Sequence, residues 1–102
     1  MLLSHSSLEA IHRFCTSNRP LLEQSSSAGC FCCGASFEPS EIRQWLPEHD
    51  AVTGAPSGET ASCPRCGKDS VLPSAAPVAM SPHLLAAMQA FWFGSAGRPR
   101  AD

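Results

Sequence analysis

The apolar positions near the N-terminus recur at helical spacing on one face: Leu8, Ile11, Phe14 and Cys15. Just before and among them, Ser6 and Glu9 have the spacing of a capping box. The pattern therefore predicts an amphipathic helix over about residues 7–16. Asn18 and Pro20 then suit the cap and the first turn of a second, short helix.

A third helical pattern lies in the segment FEPSEIRQWLPE, whose apolar residues Ile42, Trp45 and Leu46 share one face. Pro39 suits the first turn of this helix, Glu41 suits the positive end of its dipole, and Pro47 ends it. The next segment, HDAVTGAPSGE, is rich in Gly, Pro, Ser and Thr and has no periodicity. The two segments predict a middle helix followed by a mobile loop over about residues 47–59.

The clearest helical spacing of apolar residues lies near the C-terminus, at Leu84, Leu85, Met88, Phe91 and Trp92. Ser81 suits the N-cap, Pro82 suits the first helical position and Gly94 suits the terminator. We expect a helix over about residues 82–93, followed by a flexible tail over residues 95–102.

Two short arms, ETAS and DSVL, flank the segment CPRCGK and predict a small β-hairpin that carries thiols in its turn. Together with the helices, this hairpin predicts a small α+β fold. We expect a zinc-ribbon-like or treble-clef-like core with two cysteine turns, the first at residues 30–34 and the second at residues 63–67. N-terminal, middle and C-terminal helices would flank this core within a single domain over residues 1–94.

Composition excludes several classes of protein. The 102 residues are 43% hydrophobic and carry a formal net charge of −2, which is typical of neither a polyelectrolyte nor a disordered chain. No basic segment precedes the leucines after Met1, and the apolar runs are too short to span a bilayer, so neither a secretory signal nor a membrane span is expected. We therefore expect a cytoplasmic protein, whose cysteines more often bind metal or do chemistry than form disulfides.

Two Cys-x-x-Cys motifs, each followed directly by a glycine, carry the candidate chemistry. Their cysteines are Cys30, Cys33, Cys63 and Cys66. A two-residue spacer lets both sulfurs of a turn point at one ion, and zinc prefers four thiolates in a tetrahedron. Gly34 and Gly67 permit the left-handed backbone that turns amides toward the sulfurs. The motifs predict one structural Zn²⁺ ion held by these four cysteines.

Other uses of the thiols fit the chain less well. A thioredoxin-like redox pair needs a βαβ context, and a disulfide framework needs an oxidising compartment. An iron centre is the alternative metal site, because iron can also take four cysteines. Cys32 is interpreted as an incidental free thiol, with redox sensing as the alternative, and Cys15 as a core residue. The four histidines form no metal-binding pair, so neither a second metal nor a hydrolytic site is expected.

A longer pattern of spaced residues surrounds the cysteines. It consists of Asn18 and Arg19; Cys30, Phe31 and Cys33; Phe37, Pro39, Glu41, Ile42 and Trp45; Thr60, Ala61, Cys63, Pro64, Cys66, Gly67, Asp69, Ser70 and Val71; and Met88, Trp92 and Phe93. In these positions the chain resembles a family of small bacterial proteins usually labelled only "cytoplasmic protein", which has no established activity. The chain departs from that family at Ala28, where the family has a cysteine, at Cys32, where it has a tyrosine, and in a longer loop after Trp45. The resemblance implies a zinc-binding cytoplasmic protein and no particular reaction.

The favoured function is a protein-interaction module that binds a protein partner or a second copy of itself. The C-terminal helix carries more apolar residues than one narrow face can bury, so part of it should be exposed. Trp45 and Trp92 are expected to cover the cysteine turns. No enzyme is expected, because a closed four-thiolate site has no open position for water.

The alternative function is a nucleic-acid-binding zinc ribbon. Phosphate binding usually needs a concentrated basic face, whereas the seven basic residues are dispersed and outnumbered by nine acidic ones. Arg65 and Lys68 are the local candidates at the second cysteine turn. Their simpler expected role is to offset the negative charge of the thiolates.

Overall fold

A computed structural model describes residues 4–77 and 80–93, which form a small α+β fold of three helices and two antiparallel sheets. The elements in chain order are α1 (His5–His12), α2 (Arg19–Glu23), β1 (Ala28–Cys30), β2 (Ser36–Phe37), β3 (Trp45–His49), β4 (Pro56–Ala61), β5 (Val71–Pro73) and α3 (Pro82–Phe93). Single 3₁₀ turns lie at Arg13–Cys15 and Pro39–Glu41. The predicted terminator Gly94 and the predicted tail lie outside the described residues. None of the helices in this part of the chain has the length and apolar character that a membrane span requires.

Three of the predicted helices form, with differences at their caps. Helix α1 is capped by Ser4, whose hydroxyl accepts a hydrogen bond from the Ser7 N–H at 3.1 Å, so the predicted cap Ser6 lies inside the helix. Several serines precede this apolar pattern, and spacing alone did not select the right one. Helix α3 has the predicted cap, because the Ser81 hydroxyl accepts from the Leu84 N–H at 3.1 Å.

The larger sheet has the strand order β2-β1-β5, with both neighbours antiparallel to β1. Ala28 in β1 lies opposite Phe37 on one side and Pro73 on the other. The smaller sheet consists of β3 and β4, and Trp45 lies opposite Ala61 there. The strand β1 leads directly into the first cysteine turn, and β4 leads into the second.

The predicted middle helix is wrong. Pro39–Glu41 form one 3₁₀ turn, and Trp45–His49 form strand β3. The apolar pattern from Ile42 covers little more than one helical turn before Pro47, which is too short to offset the cost of helix nucleation. Pairing with β4 supplies hydrogen-bond partners for the backbone N–H and C=O groups of this segment instead. Pro47 is tolerated because β3 is an edge strand.

The predicted loop over residues 47–59 is largely the hairpin of β3 and β4. The Asp50 carboxylate accepts hydrogen bonds from the N–H groups of Val52 and Thr53 at 2.8 and 2.9 Å. Gly54 follows with a φ of +76°, a conformation that glycine adopts at little cost. The Gly, Asp and Thr residues that suggested a long loop therefore build a tight turn between two strands.

The predicted pairing of ETAS with DSVL is also wrong. Residues 59–61 of the first arm lie in β4 and pair with β3, whereas Val71 of the second arm lies in β5 opposite Cys30 of β1. A hairpin between the two arms would pair only a few residues, while β3 pairs with β4 along most of its length. The second cysteine turn thus connects the two sheets.

The apolar core has two parts that meet at the first cysteine turn. The part between α1 and α3 contains Leu8, Ile11, Cys15, Phe31, Leu72, Leu84, Leu85 and Met88. The part around the cysteine turns contains Leu22, Ala28, Cys30, Phe37, Ile42, Ala61, Cys63 and Val71. Gly29 lets α3 approach the sheet closely, since a Cβ at this position would lie 3.0 Å from a methyl group of Leu85.

Gly58 in β4 allows the chain just before α2 to pack closely against β4. Its φ is +128°, and an added Cβ would lie 2.9 Å from the Cβ of Ser17. We expect Gly58→Ala to lower the free energy of unfolding by about 3 kcal/mol, because backbone strain and overpacking add together. Gly54→Ala is the matched control, since an added Cβ there would meet nothing within 4 Å. Only the positive φ opposes this substitution, so it should lower the free energy of unfolding by about 1 kcal/mol. Urea denaturation compares the variants, and equal losses would contradict the steric contact.

Candidate metal centre

The two cysteine turns have the same backbone geometry. In the first, the Cys30 N–H donates to the Ala35 carbonyl at 2.9 Å, and the Gly34 N–H donates to the Cys30 carbonyl at 2.8 Å. In the second turn the corresponding bonds, Cys63 N–H to Lys68 carbonyl and Gly67 N–H to Cys63 carbonyl, measure 2.8 and 2.9 Å. Gly34 and Gly67 have φ values of +77° and +82°, so each predicted glycine adopts the left-handed conformation that the turn requires.

The structure brings together all four cysteines that the sequence predicted. Their sulfur atoms lie within 4.8 Å of one another, and no disulfide joins them. Across the two turns, Cys30 Sγ lies 3.7 Å from Cys66 Sγ, and Cys33 Sγ lies 3.8 Å from Cys63 Sγ. A tetrahedral ion with metal–sulfur bonds of about 2.3 Å would separate its ligands by about 3.8 Å. The sulfur positions therefore fit a four-thiolate metal site.

Within each turn, one cysteine is buried and the other is exposed. Cys30 and Cys63 are 0% and 3% exposed, whereas Cys33 and Cys66 are exposed to solvent. The Cys30 sulfur accepts a hydrogen bond from the Cys32 N–H at 3.3 Å and lies 3.2 Å from the Ser70 hydroxyl. Such hydrogen bonds orient metal ligands and stabilise the thiolate form.

The Cys63 sulfur has a matching environment. It accepts hydrogen bonds from the N–H groups of Arg65 and Cys66 at 3.3 and 3.4 Å. The sulfurs of both buried cysteines thus accept hydrogen bonds from backbone N–H groups of their own turn.

The surroundings of the four thiols shift their pKa values in different directions. Burial raises the pKa of the Cys30 thiol to about 11, against the opposing effect of the Ser70 hydroxyl. Burial also raises the pKa of Cys33 and of Cys66. At Cys63 the effect of burial is outweighed by donated N–H groups, so its pKa is lowered. A bound divalent cation would lower these pKa values, because its positive charge would compensate the negative charges of the crowded thiolates.

The charged residues of the second turn have other partners. The Arg65 guanidinium pairs with the Glu41 carboxylate at 2.8 Å, and the Lys68 ammonium lies 5.9 Å from the centre of the Phe93 ring. The Glu38 N–H and then Arg65 lower the pKa of Glu41. The pair with Glu41 therefore ties the 3₁₀ turn Pro39–Glu41 to the second cysteine turn.

The two tryptophans differ in their relation to the site. Trp45 is half-buried and packs against the core cluster that contains Cys30 and Cys63, as expected. Trp92, which was also expected to cover the cysteine turns, instead packs against His12 of α1, with ring centres 4.1 Å apart and the rings tilted by 38°. In this last turn of α3, Phe91 and Trp92 pack against α1, whereas Phe93 packs against Phe31 of the first cysteine turn.

The remaining thiols lie outside the four-cysteine cluster. Cys15 is buried in the core between α1 and α3, as predicted, and burial raises its pKa to about 11. Cys32 is half-buried, and its carbonyl accepts a hydrogen bond from the Gln89 side-chain amide at 2.7 Å. This bond ties α3 to the first cysteine turn.

Asn18 has a structural role at the site that was not predicted from the sequence. It was predicted to cap α2, yet its side chain makes no cap bond there. Its amide group donates to the carbonyls of Phe14 and Val71 at 3.0 and 2.9 Å, and its oxygen accepts from the Ala61 N–H at 3.1 Å. Asn18 thus holds together the strands that enter and leave the second cysteine turn. Its place in the longer pattern of spaced residues around the cysteines was the available signal.

Comparison with known proteins adds no relative: no family model, no curated protein and no solved structure matches the chain. The class that the fold and site define is therefore a small α+β protein with four cysteines close enough to bind a metal ion.

Proposed function

We propose that the four cysteines hold one structural zinc ion. The observation that carries this proposal is the sulfur spacing of 3.7 and 3.8 Å across the two turns, which fits the tetrahedral four-thiolate geometry that structural zinc prefers. Zinc would supply a cross-link between the two sheets and take no part in a reaction. A site closed by four thiolates has no position left for a substrate or water.

The metal is identified by elemental analysis of protein purified without added metal. We expect about one zinc per chain and no visible absorption. Iron in the same four-thiolate site would give a coloured protein with stoichiometric iron, and that result would replace zinc by the iron alternative.

We further propose that the protein is a cytoplasmic interaction module that acts through α3. Trp92 is 39% exposed, and the half-buried Phe91 and Phe93 lie beside it. Exposed aromatic residues on a rigid scaffold are typical of protein interfaces, where they supply most of the binding energy. A second copy of the chain is the simplest partner for this surface.

Nucleic acid is the less favoured partner. Arg65 already pairs with Glu41, and Lys68 lies against Phe93, so neither side chain points freely from a concentrated basic face. A phosphate backbone binds tightly only where several such charges are available together.

Sedimentation of the zinc-loaded protein tests the interaction surface. We expect self-association that Trp92→Glu abolishes, because burying a charge at an apolar interface is unfavourable. Val52→Glu is the matched control, since Val52 is 93% exposed in the β3–β4 turn, far along the chain from α3. Tight, salt-dependent binding of a monomer to DNA or RNA, lost when Arg65 and Lys68 are replaced by alanine, would favour the nucleic-acid function instead.

A further inference from the structure

A groove of about 420 Å³ lies between the end of α2 and the 3₁₀ turn Pro39–Glu41. Its apolar lining comes from Leu22 in α2, Pro39 in the turn and Trp45 in β3. Leu22 is 1% exposed and belongs to the core around the cysteine turns, so the core holds this part of the groove in place. The volume is within the range of about 300–1,000 Å³ that is typical of ligand pockets.

Two carboxylates at the groove give it a negative charge. Glu23 follows Leu22 in α2, Glu38 precedes Pro39, and both glutamates are exposed. Among the described residues that line the groove, none is basic. The groove therefore combines an apolar lining with acidic groups, which suits a ligand that is both apolar and positively charged.

Arg19 lies beside the groove but does not neutralise it. Its guanidinium pairs with Glu23 at 3.3 Å and with Glu59 at 2.9 Å, and lies 4.5 Å from the centre of the Trp45 ring. One positive charge is thus shared between two carboxylates, while Glu38 forms no ion pair with any described residue. A net negative charge therefore remains at the groove.

The groove and the aromatic surface of α3 lie on opposite faces of the larger sheet. Ala28 and Cys30 of β1 pack in the same part of the core as Leu22, whereas a Cβ on Gly29 would meet Leu85 of α3. Successive residues of a strand point to opposite faces, so Leu22 and α3 pack on different sides of β1. The groove is therefore a separate surface from the one on α3.

We propose that this groove is a docking site for a short basic segment of a partner protein. An apolar side chain of the segment packs against Leu22, Pro39 and Trp45, and neighbouring arginine or lysine side chains pair with Glu23 and Glu38. The apolar contact supplies most of the affinity, and the exposed ion pairs select a basic segment over an acidic one. A nucleic acid does not fit this groove, since its phosphates would meet the two carboxylates.

The chain itself contains a segment of this chemistry, Arg98-Pro99-Arg100, which lies outside the described residues. This segment follows α3, and α3 packs on the other face of the larger sheet. A partner protein is therefore the favoured occupant. This site goes beyond the interaction surface on α3 that is proposed above.

The probe for this site is the peptide SRLRS, acetylated and amidated at its ends. It is titrated into isotope-labelled, zinc-loaded protein and followed by nuclear magnetic resonance, which detects weak binding and locates it. We expect saturable shifts at the Trp45 indole N–H and at the backbone of Leu22. The peptides SELES, with its charges reversed, and SRSRS, without the apolar side chain, should each bind at least about tenfold more weakly. No saturable binding of SRLRS, or equal binding of the three peptides, would overturn the inference.

Ser40→Arg tests the position of the bound peptide. Ser40 is exposed in the 3₁₀ turn and lines the groove, so the substitution places a positive charge there. We expect SRLRS to bind about fivefold more weakly, the effect of one like charge about 4 Å away in water. Ser57→Arg is the matched control, because Ser57 is exposed in β4 and does not line the groove. Equal affinities of these two variants would overturn the placement of the peptide.

Two further variants separate the groove from other surfaces and occupants. Trp92→Glu should bind SRLRS like the original protein, and a loss of binding there would show that the groove is not a site separate from α3. That result would overturn the inference, whereas self-association measured by sedimentation tests the α3 surface independently. Binding of SRLRS only after Arg98 and Arg100 are both replaced by glutamine would identify the chain's own segment as the occupant and overturn the proposal of a partner.

Discussion

Replacing Cys63 by serine is expected to abolish zinc binding and to unfold most of the domain. Structural zinc sites supply about 10–16 kcal/mol of apparent binding free energy, as much as the whole stability of a typical small domain, about 5–15 kcal/mol. The site joins Cys30, at the end of β1, to Cys63, two residues after β4. Losing one ligand therefore separates the two sheets. Elemental analysis and thermal unfolding followed by circular dichroism measure both effects.

Cys32→Ser is the matched control for this substitution. Cys32 lies in the first cysteine turn and is also a free thiol, but it does not belong to the four-cysteine cluster. We expect this variant to keep its zinc and to melt close to the original temperature. Stoichiometric zinc in Cys63→Ser would contradict the assignment of the ligands.

Trp45 reports the same loss of structure when a chelator removes the metal. It packs on the core cluster around Cys30 and Cys63, so its fluorescence should shift to longer wavelength as that cluster opens to water. Trp92 is already partly exposed, and a Trp92→Phe background isolates the signal of Trp45. Unchanged fluorescence after verified metal removal would show that the metal does not hold the core together.

The cysteine turns could be predicted from sequence because their geometry is local. Two residues between the cysteines and a glycine after the second fix the turn, and Gly34 and Gly67 have the expected positive φ. The meeting of the two turns could be predicted as well, since four thiols in two such turns suit one ion. The burial difference between Cys30 and Cys33 could not, because it depends on which side of each turn the rest of the chain covers.

Strand pairing was the part that the sequence did not predict. Both ETAS and DSVL have strand character, and the short distance between them favoured a local hairpin. The actual partners of Ala61 and Val71 are Trp45 and Cys30. These pairings are non-local, and one of them required that Trp45 be read as a strand residue when its spacing with Ile42 suggested a helix. Short apolar patterns are ambiguous in this way, and tertiary packing decides them.

Asn18→Leu is expected to lower the free energy of unfolding by about 3–5 kcal/mol even with zinc present in excess. Asn18 is 1% exposed, and its side chain satisfies the carbonyls of Phe14 and Val71 and the N–H of Ala61. Leucine has a similar size but no polar atoms, so these three backbone groups would lose their side-chain partner inside the core. Urea denaturation at a fixed excess of zinc measures the change, because free zinc itself shifts the apparent stability.

Gln24→Leu is the control for the exchange of an amide for leucine. Gln24 is exposed at the end of α2, and its amide makes a single long bond of 3.3 Å to the Pro20 carbonyl, so its loss should change stability by less than about 0.5 kcal/mol. Asn18→Asp separates shape from hydrogen bonding, since aspartate keeps the shape but would direct an oxygen, in place of the amide nitrogen, at the carbonyls of Phe14 and Val71. We expect Asn18→Asp to be destabilised at pH 7 about as much as Asn18→Leu, because a buried carboxylate there has two acceptors and no donor in place of the lost amide. A loss below about 1 kcal/mol in both Asn18 variants would show that water or another group replaces the amide, and that Asn18 does not hold the second cysteine turn in place.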